Sequence, residues 1–122
     1  MKVKDSYNVN AISQAAAVAA LTDQPYAAKT VAAVTATRDW FSAALRERDW
    51  TVVDSAANFV LAAPPTNEPA DLVEFLESCG FLVRYFSTPR LRSYIRISIG
   101  TDEQMQRLLH CLDDSTVQKI TP

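Results

Sequence analysis

Glycine is nearly absent from this sequence, which has only Gly80 and Gly100 among its 122 residues. A loop that cradles phosphate groups needs several glycines close together, so dinucleotide-binding and P-loop motifs are excluded. Cysteine and histidine are equally scarce, with two cysteines and one histidine. These numbers predict neither a disulfide framework nor a zinc motif, and we expect both thiols to be reduced and partly buried.

Long apolar runs and an excess of either charge are also missing. The Ala-rich run at residues 15–21 is far shorter than the roughly 20 apolar residues that a bilayer span needs, and the first five residues do not resemble a signal peptide. The formal net charge is −2, which gives no strongly basic surface for nucleic acid. The sequence therefore predicts a cytoplasmic globular protein with no nucleic-acid or membrane partner.

Four segments have the spacing and end signals of helices. Asn10 is a suitable cap for an Ala-rich first helix, and Pro25 is well placed in the first turn of the second. Gly80 follows the third helix at the position of a left-handed cap, and Thr101 with Gln104 forms a capping-box pattern before the last. Helices are predicted at residues 10–21, 25–48, 69–79 and 102–112.

The side chains that these helices bury follow from helical spacing. The sets that we expect to face inward are Val31, Val34, Phe41 and Leu45 in the second helix, Leu72, Val73, Leu76 and Cys79 in the third, and Met105, Leu108, Leu109 and Leu112 in the last. Trp40 and Trp50 are interpreted as core or edge-of-core aromatics.

Strand-like runs occupy the segments between the helices. They are predicted at residues 51–53, 58–61, 81–85 and 91–99. The first two are either two short strands or one kinked strand, and the last two can pair as an antiparallel hairpin. Ile95, Ile97 and Ile99 alternate with polar residues, which is typical of a half-buried strand. The fold class is therefore α+β, with a small, mainly antiparallel sheet covered by helices and an N-terminal helical segment.

Four arginines, Arg84, Arg90, Arg92 and Arg96, lie within thirteen residues. If the last two strands pair, Arg84 and Arg96 come close together at one end of the sheet. Guanidinium groups match the oxygens of carboxylates and phosphates, so one interpretation is an anion site. The alternative is a solvated polar face whose arginines pair with aspartate and glutamate.

No other residues combine into a site. His110 is expected to be exposed on the last helix, where a single histidine is rarely a catalyst or a metal ligand. Asp113 and Asp114 are interpreted as a helix end and not as metal ligands. We therefore predict no catalytic residue and no metal site.

A family resemblance emerges from segments spread along the whole chain. These segments are residues 2–10 with 13–16, residues 55–60, residues 80–84 and residues 91–101. Taken together and in this order, they resemble the C-terminal small domain of histidinol-phosphate aminotransferases, which are fold-type I pyridoxal-phosphate enzymes. The resemblance implies one domain over residues 1–122, with residues 1–24 as an inter-domain junction helix and residues 25–122 as the small domain proper.

The resemblance also implies a function. Full-length members transfer an amino group between histidinol phosphate and glutamate through pyridoxal phosphate, and their cofactor lysine lies in a large domain that precedes this segment. None of Lys2, Lys4, Lys29 and Lys119 matches that lysine, so no cofactor-binding residue is expected here, and the chain is predicted to be catalytically incomplete alone. Arg96 matches the arginine that grips the anionic end of the substrate, and Arg84 matches a second arginine of that site.

The resemblance leaves partners and independent activity open. Without the large domain, the apolar face of the first helix would be exposed, which predicts self-association or a complementing large-domain chain. Alternatives are a stand-alone module that binds a small anionic metabolite or another protein, and a stable remnant with no activity.

Overall fold

The computed structural model describes residues 9–65 and 68–118, the last four of these by backbone alone. The helices and strands within these ranges are, in chain order, α1 (Ala11–Thr22), α2 (Gln24–Arg46), β1 (Thr51–Val53), β2 (Phe59–Ala63), α3 (Pro69–Ser78), β3 (Arg84–Tyr85), β4 (Ile95–Ser98) and α4 (Asp102–Gln118). The backbone divides into two compact units, one up to Ala32 and one from Ala33 on. Among these helices, none is long and apolar enough to span a membrane.

The four strands form one antiparallel sheet in the order β1-β2-β4-β3. The predicted pairing of the last two strands is confirmed, because Arg84 pairs with Arg96 and Tyr85 with Ile95. Strand β4 also pairs with β2 on its other side, which the sequence did not predict. The α+β class with an antiparallel sheet is confirmed.

The inner face of the sheet supplies one half of the hydrophobic core. Val60, Ala62, Ile95 and Ile97 are fully or almost fully buried, as the alternation in the sequence requires. The helices supply the other half with the buried side chains Phe41, Leu45, Leu72, Leu76, Met105, Leu108, Leu109 and Leu112. Trp50 is buried in this core and Trp40 packs against it, as predicted.

Two predicted helix ends are confirmed by their hydrogen bonds. Gly80 has φ +83°, and the amides of Gly80 and Phe81 donate to the carbonyls of Glu77 and Leu76, which is a Schellman cap. At the start of α4, the Thr101 amide donates to Gln104 Oε1 at 2.9 Å, and the Gln104 amide donates to Thr101 Oγ1 at 3.3 Å. These reciprocal bonds form a capping box.

Some expectations about burial were wrong. Cys79 is exposed, because α3 ends at Ser78 and Cys79 belongs to the cap that follows the helix. Val31 is 65% exposed, and the inward stripe of α2 begins later, at Thr37.

The two strands that carry the arginines are shorter than predicted. Residues 89–93 form a turn, in which the amides of Leu91 and Arg92 donate to the carbonyl of Thr88 at 3.0 and 2.9 Å. The turn occupies the first part of the run that was predicted as a strand from Leu91, so β4 begins at Ile95.

Candidate anion site on the outer face of the sheet

Arg84 and Arg96 lie side by side on the outer face of the sheet. Strand β3 presents Arg84 directly opposite Arg96 of β4, and Leu61 of β2 follows on the other side of Arg96. Because successive side chains of a strand point to opposite faces, the buried Ile95 and Ile97 direct Arg96 away from the core. The expected proximity of these two arginines, named here the arginine pair, is therefore present.

Two positive charges directly opposite each other are unfavourable in a sheet. Within residues 9–65 and 68–114, neither member of the arginine pair forms an ion pair with a carboxylate. Three other arginines do form such pairs: Arg38 with Asp39, Arg46 with Asp54, and Arg48 with Asp113. The arginine pair thus has donors available for an anion, whose charge would also relieve the repulsion between the two guanidinium groups.

Two phenylalanine rings hold the arginine pair in place. The Cζ atom of Arg96 lies 5.3 Å from the ring centroid of Phe59 and 5.9 Å from that of Phe86. The Cζ atom of Arg84 lies 5.5 Å from the Phe86 centroid, so this one ring contacts both guanidinium groups. Cation–π contacts at exposed sites contribute about 0.5–1 kcal/mol each. They restrain the side chains without occupying the N–H donors that an anion needs.

The other two arginines of the sequence cluster do not join this site. Arg90 and Arg92 lie in the turn before β4, and both are exposed. Arg92 lines a separate cavity of about 530 Å³ together with Pro64, Glu68 and Tyr85. The cluster of four therefore divides, and only Arg84 and Arg96 converge.

Sequence reasoning assigned no role at the site to Phe59 and Phe86. Phe86 follows Arg84 by two residues, and this spacing in an extended strand places both on one face. Phe59 could not have been found in this way, since its approach to Arg96 depends on the pairing of β2 with β4. That pairing joins segments more than thirty residues apart and leaves no local signal.

Ionisable groups elsewhere take part in structural contacts. Asp102 accepts hydrogen bonds from the Thr37 hydroxyl and, at 2.9 Å, from Trp40 Nε1, and these two donors lower the pKa of its carboxyl. Arg48 lowers the pKa of Asp113 in the same way. His110 is exposed, and the described side chains contain no group of three potential metal ligands.

Curated proteins that are similar to this chain include histidinol-phosphate aminotransferases. The histidinol-phosphate aminotransferase of Syntrophotalea carbinolica is 46% identical over 113 residues, which are 93% of this chain and 33% of that protein. The chain thus spans about a third of the length of the curated relatives that it matches.

Solved structures that are similar to this chain include an aminotransferase and a decarboxylase. The histidinol-phosphate aminotransferase of Sinorhizobium meliloti, in complex with pyridoxal-5'-phosphate, superimposes with a TM-score of 0.75 at 27% identity, covering 88% of this chain and 30% of that one. The L-threonine-O-3-phosphate decarboxylase of Porphyromonas gingivalis gives a TM-score of 0.57 at 28% identity, covering 66% and 26%. Residues 1–112 match the model of aminotransferase classes I and II, and the chain belongs to that family.

Proposed function

We propose that this chain is the small-domain portion of a pyridoxal-phosphate-dependent aminotransferase that exchanges an amino group between histidinol phosphate and glutamate. Its own contribution is to bind the anionic end of the substrate through Arg84 and Arg96. The observation that carries this proposal is the direct pairing of Arg84 with Arg96 on the outer face, with no carboxylate paired to either among the described residues. The stand-alone alternative gains no support from the relatives.

The relatives favour a phosphorylated substrate. One acts on histidinol phosphate and another on L-threonine O-3-phosphate, and each of these compounds carries a phosphate ester besides an amino group. Two adjacent guanidinium groups suit the charge of a phosphate monoester and also suit the carboxylate of glutamate. One site can therefore accept both substrates of the exchange in turn.

We propose that this chain does not supply the lysine that binds the cofactor. Pyridoxal phosphate supplies an aldehyde that bonds to a lysine amine and acts as an electron sink. Lys29 is the one lysine in the described part of the chain, and its side chain is exposed on α2. We therefore propose that residues of the other two thirds of the enzyme hold the cofactor and that this chain alone is catalytically incomplete.

The proposal extends to the binding partner of the chain and to its location in the cell. In the unit up to Ala32, a groove of about 590 Å³ is lined by residues that include Ala19, Tyr26 and Val31, and Ile12 and Leu21 are 83% and 71% exposed. We propose that this apolar surface is covered by the large-domain part of an enzyme or by a second copy of the chain, in the cytoplasm. A strictly monomeric sedimentation profile over a wide concentration range would exclude self-association.

Exchange of domains tests the function directly. Replacing the matching third of the Syntrophotalea carbinolica enzyme with this chain should give an active enzyme for histidinol phosphate and glutamate. In that hybrid, Arg96→Ala should raise KM for both substrates while the cofactor absorbance band stays unchanged. A folded hybrid that binds the cofactor but transfers no amino group would contradict the proposed function.

Binding by the chain alone tests the site. Histidinol phosphate and inorganic phosphate are titrated into the chain, and binding is followed by NMR chemical-shift changes. Loss of a hydrogen-bonded charged partner weakens binding by about tenfold to a hundredfold, so Arg84→Ala and Arg96→Ala should each lower the affinity by that factor. Arg90→Ala is the matched control, because Arg90 is exposed nearby but outside the pair. Equal weakening by all three variants would show a general charge effect in place of a site.

A further inference from the structure

The backbone holds the two phenylalanines beside the arginine pair to different degrees. Phe59 is the first residue of β2 and pairs with Ser98 of β4. Phe86 comes directly after Tyr85, the last residue of β3, and belongs to no strand. Both rings are half-buried. The sheet therefore fixes the backbone of Phe59, whereas the backbone of Phe86 lies just beyond the last pairing of β3.

The register of the sheet explains why both rings reach Arg96. Arg96 pairs with Leu61 of β2 and with Arg84 of β3. Phe59 precedes Leu61 by two residues and shares its face of the sheet, and Phe86 shares the outer face with the arginine that it follows. Both rings thus lie diagonally opposite Arg96, on its two different sides, at a separation that aromatic and long side chains can bridge.

Phe86 differs from Phe59 because its ring contacts both guanidinium groups. Its centroid lies 5.5 Å from Arg84 Cζ and 5.9 Å from Arg96 Cζ. The negative face of the ring attracts both of these cations, although they repel each other. Arginine side chains lose rotamer freedom when they bind a ligand, and a side chain that is already restrained loses less. The Phe86 ring therefore holds the two arginines close together before an anion arrives.

We propose that Phe86 is a positioning residue of the anion site, which holds Arg84 and Arg96 as one unit for an anion that bonds to both, such as a phosphate monoester. Phe59 restrains Arg96 alone. In this proposal the Phe86 ring acts through the two arginines and makes no bond to the substrate. The inference rests on the proposed function, because it assigns to Phe86 a part in the same substrate site.

Side-chain order in the ligand-free chain tests the positioning by itself. NMR relaxation of the arginine Nε–H groups reports how restrained each guanidinium group is. In the unmutated chain, Arg84 and Arg96 should be more ordered than Arg90, which is exposed in the turn before β4. Phe86→Leu should lower the order of both members of the pair, whereas Phe59→Leu should lower the order of Arg96 alone. Unchanged order of both arginines in Phe86→Leu would overturn the proposal.

Anion affinity tests the consequence for substrate binding, with inorganic phosphate and histidinol phosphate as the probes. Phe86→Leu keeps an apolar side chain but removes the ring face, and it should weaken the binding of each probe by about threefold to tenfold. Phe86→Tyr keeps the ring face and should bind as tightly as the unmutated chain. Phe81→Leu is the matched control, because the Phe81 ring lies 5.9 Å from Arg107 Cζ, outside the anion site. Equal weakening by Phe86→Leu and Phe81→Leu would contradict a specific role for Phe86.

Double variants separate positioning from a merely structural role. In a chain that carries Arg84→Ala, Phe86→Leu should weaken phosphate binding less than it does in the unmutated chain, because only one guanidinium group remains to be held. Phe59→Leu should keep its full effect there and lose it in a chain that carries Arg96→Ala. A general loss of structure would instead lower the affinity by the same factor in every background. The same factor for Phe86→Leu with and without Arg84 would therefore overturn the proposal.

The outcomes distinguish this inference from the proposed function. If the unmutated chain binds phosphate through both arginines and Phe86→Leu binds it equally well, the inference is wrong and the proposed function stands. If the unmutated chain binds neither probe, the proposed substrate site is wrong, and the inference that rests on it is overturned as well. In the domain-exchanged hybrid, Phe86→Leu should raise KM for histidinol phosphate and leave kcat unchanged. A lowered kcat with an unchanged KM would overturn the positioning role.

Discussion

Helices α1 and α4 show two different ways in which a segment becomes helical. Helix α1 is rich in alanine and has no buried residue, and its larger apolar side chains, Ile12, Val18 and Leu21, are exposed. Helix α4 contains Met105, Leu108, Leu109 and Leu112, which are all buried in the core. Intrinsic propensity and a cap favour the first helix, whereas tertiary packing stabilises the second.

The side-chain hydrogen bonds of the two units differ in how far apart in the sequence their partners lie. Up to Ala32, the described side-chain bonds join residues at most five apart, such as Asn10 with the amide of Ser13 and Asp23 with the amide of Tyr26. From Ala33 on, Asp102 accepts from Thr37 and Trp40, more than sixty residues away. Equivalent substitutions in the two units should therefore have unequal effects on the free energy of unfolding.

The largest expected difference concerns apolar side chains. Phe41→Ala removes a ring that is 0% exposed, and it should lower the free energy of unfolding by about 3–5 kcal/mol. Ile12→Ala changes a side chain that is 83% exposed, and its effect should stay within about 0.5 kcal/mol. Urea unfolding followed by circular dichroism and by tryptophan fluorescence measures both. A large loss for Ile12→Ala would show that the first unit contributes to a cooperative core.

A smaller difference is expected for the helix caps. Thr101→Ala removes one half of the capping box of α4 and should lower the free energy of unfolding by about 0.5–2 kcal/mol. Asn10→Ala removes an equivalent bond, in which Asn10 Oδ1 accepts from the Ser13 amide at 2.9 Å. Since α1 has no buried residues, this variant should reduce helix content in circular dichroism and leave the fluorescence midpoint in urea unchanged. Equal midpoint shifts for both caps would remove the distinction between the units.

The smallest effect is a change in acid sensitivity. The hydrogen bonds from Thr37 and Trp40 hold the pKa of Asp102 below its ordinary value, so the folded protein binds fewer protons there than the unfolded chain. The resulting stabilisation is fully present above the ordinary aspartate pKa of about 4 and is lost as the pH falls through the lowered value. Asp102→Asn should therefore flatten the dependence of stability on pH in this acid range.

The matched control for this experiment is Asp23→Asn. Among the described residues, the Asp23 carboxylate accepts one local side-chain bond, from the Tyr26 amide at 3.2 Å. This control should leave the acid transition of the second unit unchanged when the transition is followed by tryptophan fluorescence. If the stability of Asp102→Asn fell with decreasing pH as steeply as that of the unmutated chain, the hydrogen bonds from Thr37 and Trp40 to Asp102 would not contribute to stability.

The sequence predicted those parts of the fold that depend on local signals. The caps at Asn10, Gly80 and Thr101 and the alternation around Ile95 and Ile97 are all present, because each depends on residues only a few positions apart. The prediction that Cys79 faces inward was wrong. The apolar residues keep their helical spacing as far as Cys79, but the helix itself ends at Ser78.

The candidate site was predictable only in part. The convergence of Arg84 and Arg96 followed from assuming that two neighbouring strands pair. The contact of Arg96 with Phe59 requires β2 to lie beside β4, and no local pattern indicates the order of strands in a sheet. Whether a carboxylate pairs with either arginine depends on the whole surroundings of the site, and among the described residues none does. The choice between an anion site and an ion-paired face could therefore not be made from spacing.

The order of strands in the sheet has a consequence for how the chain folds during synthesis. Strand β4 is made last, yet it lies between β2 and β3 and forms all the pairings of β3. Until residues 95–98 leave the ribosome, β2 has an unpaired edge and β3 has no partner, which are conditions that favour aggregation of a nascent chain. Strand β4 thus completes the sheet and brings Arg96 beside Arg84 in the same step.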